Sequence, residues 1–225
     1  MTKGELTRQR ILDIAEASVL SKGFEATSID EIIAEAQITK SGFYYHFADK
    51  NVLAREMLKR YIATSDRMFD DIFGRAKKLS DDPLQAFLIG LGLLAEVLED
   101  LPNGHPGCLI ASICYQERLF DREVVELNGR SVRAWNARFR SYLEEITTVH
   151  GLGDQVDLDD VANMLSSVVD GGIIMSKILG EPSHLARQVR TYRNFVKLLF
   201  APQNVVARHR PYMASASSEA LAEPA

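Results

Sequence analysis

An all-helical fold is predicted for this chain of 225 residues by three observations. Apolar residues recur at three-to-four spacing along most of its length. No segment reads convincingly as a strand. Helix stop and start signals, such as Gly23, Asp81-Asp82-Pro83 and the loop beginning at Leu101-Pro102, punctuate the pattern. The segments are short up to about residue 50, and one long helix then leads into a strongly apolar region. The domains expected are a helix-turn-helix head over 1–50, a helical core over 51–201 and a tail over 202–225 whose Ala, Ser, Pro and Glu show little periodicity and imply mobility.

Composition narrows the class. With 46% hydrophobic residues the chain can bury a sizeable core. A formal net charge of -5 argues mildly against nucleic acid when taken alone. The acid is unevenly placed, however, since nine Lys/Arg balance nine Asp/Glu over residues 1 to 60 and the excess lies beyond. No long apolar run and no charged-then-apolar leader is present, so a cytoplasmic location is expected. The two cysteines, Cys108 and Cys114, make no disulfide framework, and reduced thiols fit that compartment.

The first helix is read from about Thr7, with Ile11, Ile14, Ala15 and Val19 on one face, and Gly23 stops it. Thr27 or Ser28 caps the second, and Ser28 with Glu31 has the spacing of a capping box. That helix buries Ile29, Ile32, Ile33 and Ala36. Gln37 and Ile38 leave a very short connection, which forces a sharp crossing into a third helix capped by Thr39. Phe43 and Phe47, four apart, face inward, leaving Lys40, Ser41, Tyr44, Tyr45 and His46 largely outward. A face mixing aromatics with donors is built to touch something. Gly42 costs about 1 kcal/mol relative to Ala in a helix interior, which close approach to another backbone or to DNA explains. Asp49 caps the next helix, with Lys50 in its first turn, where a cation opposes the dipole unless a phosphate shares the site.

The run RILDIAEASVLSKGFEATSIDEIIAEAQ at 10–37, followed by ITKSGFYYHFADK at 38–50, resembles the DNA-binding head of the tetracycline-repressor (TetR) family of bacterial transcription regulators. The resemblance is ordered, ungapped and confined to about the first fifty-five residues. It implies a three-helix head on an all-helical dimeric core that binds a small ligand, with pseudo-palindromic duplex operator DNA as partner and no cofactor. Carried over by position, Thr39, Lys40 and Ser41 are base and edge readers, and Tyr44, His46 and Lys50 contact phosphates. Thr27 and Ser28 contact the DNA backbone at the start of the second helix, and Tyr45 fills a position that varies between base and backbone contact. Gln37 departs from the glycine usual there, which should tighten the turn.

From Asp49 to about Lys78 the helical pattern is unbroken over on the order of 45 Å, long enough to act as a lever between head and core. Further helices are read from Pro83 to about Asp100, Cys108 to Leu119, Arg122 to His150, Asp157 to Leu179 and Pro182 to Phe200. An effector pocket is expected among the lever and the three helices after it, where Phe69, Phe73, Phe87, Leu91, Leu94, Phe120, Trp135 and Phe139 exceed what packing requires. Ser112, Tyr115, Gln116, Asn136 and Asp170 are the polar anchors expected there, and the ligand is expected to be mainly apolar or aromatic. On the last two helices, Val161, Leu165, Val168, Ile174 and Ile178 form an apolar surface that Gly171 and Gly172 open to a close neighbour. Tyr192, Phe195 and Leu199 continue it. A two-fold homodimer interface is the reading.

Other motifs are weaker. Gly90-Leu-Gly92-Leu-Leu-Ala95 has the letters of a dinucleotide fingerprint but no strand before it, so helix packing accounts for it better. His105, Cys108 and Cys114 lack a familiar metal-ligand spacing. A redox-sensing thiol is the alternative for Cys108 or Cys114, since Cys108 would stand at a helix N-terminus that lowers its pKa. Nothing nominates an enzyme. A helical small-molecule-binding protein or enzyme is the competing class, and the exposed cluster at 40–50 separates it from a DNA reader.

Overall fold

A computed structural model describes residues 2–152 and 156–201. The tail expected from 202 onward lies outside the described residues. Among the latter there are nine α-helices and no strand: α1 (Lys3–Lys22), α2 (Ile29–Glu35), α3 (Lys40–His46), α4 (Lys50–Leu79), α5 (Pro83–Glu99), α6 (Leu109–Tyr115), α7 (Arg122–His150), α8 (Leu158–Leu179) and α9 (His184–Leu199). No helix among these residues is long and apolar enough to cross a membrane.

Side-chain caps set most of these boundaries. Ser28 and Glu31 form the capping box of α2, Asp49 accepts from the Val52 amide at 2.8 Å, and Asp82 accepts from Gln85 with Pro83 at the first helical position. Each satisfies amides that a helix start leaves without an intrahelical partner. Helix α1 begins earlier than Thr7 because Thr2 and Glu5 build a second capping box. Helix α6 stops at Tyr115 instead of reaching Leu119. A 3-10 turn, Glu117–Leu119, takes over after Gln116, whose side chain is held by the head.

The first turns of α4 belong to the head as much as to the core. Leu53, Ala54, Met57 and Leu58 are buried, as are Ile11, Leu12 and Ala15 of α1, Ile32 of α2, and Phe43 and Phe47 around α3. Further along, α4 enters a second packed region with α5, α7, α8 and α9. There the Phe73 ring stacks on Tyr142 at 5.0 Å and on Phe87 at 5.7 Å. A Cβ at Gly90 would lie 2.5 Å from the Phe73 ring. The glycine in the fingerprint-like run is thus there to let α5 meet an aromatic side chain of α4. Gly172 likewise admits α9, since a Cβ there would lie 2.8 Å from Leu185.

The turn between α2 and α3 is tight at a cost. Gln37 has φ +52°, the one non-glycine residue with positive φ among the described residues. An L side chain in the left-handed region costs about 1–2 kcal/mol, while glycine pays part of that back in unfolded-state entropy. Gln37→Gly is therefore expected to stabilise the protein by about 0.5–1 kcal/mol, read as a higher midpoint in urea. An unchanged or lower midpoint would mean that the Gln37 side chain has a stabilising contact that outweighs the strain.

Candidate DNA-reading face and effector cavity

Helix α3 is anchored from below and open above. Phe43 and Phe47 are fully buried, whereas Lys40, Ser41, Tyr44 and Tyr45 are exposed, Tyr45 by 83%. Half-buried His46 meets the Tyr45 ring edge-on at 5.0 Å. Thr39 caps the helix by accepting from the Gly42 amide at 3.0 Å. No neighbouring backbone crowds Gly42, since a Cβ there would meet the Thr39 hydroxyl at 3.3 Å and the Ile38 Cβ at 3.8 Å. Packing within the subunit therefore does not demand glycine. The Lys40 ammonium lies 4.0 Å from Asp30, a loose and exposed pairing worth little.

Two residues expected at the DNA surface are engaged inside the head. The Thr27 hydroxyl is buried, donating to the Gly23 carbonyl at 2.9 Å and standing 3.0 Å from the Ser18 hydroxyl. Its side chain locks the α1–α2 loop and is closed to a ligand; Ser28 supplies the exposed cap. Lys50 donates to the Phe24 carbonyl at 2.7 Å and lies over the Phe24 ring. Its burial lowers the ammonium pKa. The lysine whose position opposes the helix dipole is thus offset from within the chain.

A joint ties head to core. Gln116 accepts from the Phe24 amide at 2.9 Å and the Glu25 amide at 3.3 Å, and the Phe120 ring packs on Phe24 at 4.4 Å. Gln116 and Phe120, read as pocket residues, serve this joint instead, because the loop after Gly23 presents free amides and an aromatic ring to them. Tyr115 is exposed, Ser112 donates to the Cys108 carbonyl within α6, and Leu91 is wholly in the core. Phe73 and Phe87 border a separate cleft with Lys77, Pro83, Tyr142 and Glu145.

A partly open cavity lies where α4, α5, α7 and α8 meet, with a volume of about 100 Å³. Of the expected residues it takes Phe69, Leu94, Trp135, Phe139 and Asp170. The Phe69 ring meets Trp135 and Phe139 edge-on at 6.3 and 5.4 Å. Asn136 does not line it but accepts from the Ser166 hydroxyl, which does, at 2.5 Å. Tyr61, Ser65 and Met68 of α4, and His105 and Cys108 ahead of α6, complete the wall and were not anticipated. Tyr61 and Ser65 carried a signal, being two turns and one turn before Phe69 on one face, and Met68 adjoins Phe69. The loop residues carried none.

Asp170 faces this space from α8. Burial raises its carboxyl pKa, and the Cys108 thiol stands within hydrogen-bonding reach. Burial, with Asp170 next to it, pushes the Cys108 thiol up to about 12. The expectation of a helix-activated thiol is overturned: an apolar wall and a carboxylate outweigh the dipole of a seven-residue helix. Burial also lowers the His105 pKa, with Lys177 a lesser cause. Iodoacetamide at neutral pH is accordingly expected to label exposed Cys114 and leave buried Cys108 untouched until the protein unfolds. Peptide mapping checks this, and early labelling at Cys108 would contradict the burial argument.

The apolar face of α8 and α9 divides in two. Val161, Leu165, Gly172 and Tyr192 are buried within the subunit, the Tyr192 hydroxyl donating to the Val161 carbonyl at 2.9 Å. These four are taken up by packing within the subunit, Gly172 and Val161 against α9 and Tyr192 against α8. Ile174, Ile178 and Phe195 remain exposed, joined by Met164, Met175, Leu179 and Leu198. Val168, Gly171 and Leu199 are half-buried, and nothing lies near a Cβ built at Gly171.

Two short helices at a tight turn, the second capped and bare on one side, packed on α1 and on the start of a long helix into a helical core, define a helix-turn-helix DNA-binding protein. The family of bacterial regulatory proteins of tetR type matches over residues 11–57. Two similar proteins are the uncharacterized HTH-type transcriptional regulator YxaF of Bacillus subtilis, 22% identical over 78% of this chain and 87% of its own length, and the transcriptional regulator AcuR of Cereibacter sphaeroides, 23% identical over 85% and 86%. A TetR-family transcriptional regulator from Agrobacterium tumefaciens shares the fold, with TM-score 0.73 and 17% identity over 88% of this chain and all of its own. Residues 11–57 thus carry a head of the tetR type, and the helical core beyond it shares its fold with TetR-family structures.

Proposed function

We propose that this protein is a homodimeric cytoplasmic repressor that reads a pseudo-palindromic operator through α3 and is released by a small, mainly apolar or aromatic ligand held in the α4–α8 cavity. The observation that carries the reading is the double role of α4. Its first turns, with Leu53 and Met57, form the floor of the head, and Tyr61 and Phe69, two and four turns along, form the wall of the cavity. A ligand that moves this wall moves the head. Two heads on a two-fold axis must meet half-sites about 34–36 Å apart, so a change in α4 alters DNA affinity without touching α3. Linkage makes the effect reciprocal, typically about 1–3 kcal/mol, so operator DNA weakens the ligand by the factor that ligand weakens DNA.

The cavity is small beside usual ligand sites of roughly 300 Å³ or more, so its walls must part to admit an effector with an apolar or aromatic body. Base and edge contacts are assigned to Thr39, Lys40, Ser41 and Tyr45, and phosphate contacts to Ser28, Tyr44 and His46. Hydroxyls and amides release no counterions, so few ions are exchanged per head. Fluorescence anisotropy on the duplex flanking this protein's own gene tests the proposal. The log-log dependence of affinity on salt is expected to have a slope of roughly -3 to -6. No binding to any flanking fragment, or a slope near zero, would remove specific duplex recognition from the reading.

A further inference from the structure

Within the proposed effector cavity, one acidic side chain lacks a basic partner. Asp170 makes no salt bridge among the described residues, and the donor in reach is the Cys108 thiol, a weak one. The basic side chains nearby are committed elsewhere. Arg60 pairs with Asp13 at 2.6 Å and Glu16 at 2.7 Å, Arg138 pairs with Asp66 and Asp70, and Lys177 donates to the Pro106 carbonyl. The Trp135 N–H also turns away, donating to Asp66 at 3.3 Å. A carboxyl against aromatic and aliphatic walls is expensive to ionise without a counter-charge.

The approach to the cavity has the same sign. Tyr61, Ser65, Met68, Leu98 and His105 line both the cavity and an outer opening, and Asp13, Glu16 and Arg60 rim that opening, two acids against one base. An anionic ligand would pass this rim and then meet Asp170, whereas a cation is favoured at both points. The Phe69 and Trp135 rings add π faces that attract a positive group.

We propose that the effector carries a protonated nitrogen that pairs with Asp170, while its apolar or aromatic body lies against Phe69, Trp135 and Phe139. This rests on the cavity being the effector site. The pair forms in a water-poor space, where a charge-assisted hydrogen bond is strong and the carboxylate recovers the charge partner that the fold withholds.

Three probes of matched length separate the possibilities: 4-phenylbutylamine, 4-phenylbutanol and 4-phenylbutyrate, each titrated into the full-length protein near neutral pH. Trp135, the sole tryptophan, reports binding by fluorescence. The amine is expected to bind about tenfold or more tighter than the alcohol, with the carboxylate weakest. Asp170→Asn should bring the amine to the alcohol's level and leave the alcohol nearly unchanged. An amine no tighter than the alcohol in the unaltered protein, or a preference that survives Asp170→Asn, overturns the proposal while the cavity stands. No response to any of the three overturns the cavity reading and the proposal with it. The ranking in the unaltered protein decides the matter even where Asp170→Asn fails to fold.

Discussion

Ile178→Asp is expected to yield a folded monomer that no longer holds its operator. Ile178 is 70% exposed, so an aspartate there disturbs little within the subunit. In a two-fold contact between α8 and α9 of two copies, the same side chain becomes buried twice, once from each side. Two unpaired carboxylates would then sit in an apolar interface with Met164, Met175 and Leu198, at a cost of several kcal/mol. Each half-site would have to be bound by a single head, and losing the second head weakens binding by about 100-fold or more. Analytical ultracentrifugation should show a halved mass at unchanged helical content, and anisotropy should show the loss. A variant that stays dimeric and retains operator affinity places the interface elsewhere.

The second large effect is expected at the reading helix. Lys40→Ala with Tyr45→Ala removes two exposed side chains whose contacts inside the subunit are a 4.0 Å pairing with Asp30 and an edge-on contact with His46. Folding stability should change by less than about 0.5 kcal/mol. A base or phosphate contact is worth about 1–3 kcal/mol, so the pair should lower operator affinity by roughly 30-fold to 10⁴-fold. Lys40→Ala alone should also relax preference at one position of each half-site. Lys50→Ala is a contrasting control. It breaks the bond to the Phe24 carbonyl, so its thermal midpoint should fall along with DNA affinity. Wild-type operator affinity in the double variant, with the preference over scrambled DNA retained, would remove α3 from the reading surface.

Local chemistry made the head legible. Ser28 and Glu31, Thr39 and Asp49 act on amides within three residues of themselves, and an interaction of that range is written in adjacent letters. The inward pair Phe43 and Phe47 follows from helical spacing for the same reason. Periodicity also showed that α8 and α9 are apolar over a broad arc. It could not divide that arc between the subunit's own core and its surface, because the division depends on where the other helix lies. Tyr192 is closed by a bond to Val161, 31 positions away, while Phe195, one turn on, stays open.

The cavity was settled by packing alone. Phe69 meets Trp135 across 66 positions of chain, and His105 and Cys108 reach the same space from a loop that carries no period. Gln116 and Lys50 show the limit from the other side. Each looked available for a ligand because polar groups in sequence carry no record of their partners. The free amides of Phe24 and Glu25 and the carbonyl of Phe24 claimed them once the chain brought the loop after α1 against α6 and α4. Helix positions and the exposed face of α3 are set by interactions a few residues long, whereas the identity of the walls around Asp170 is set by how four helices cross.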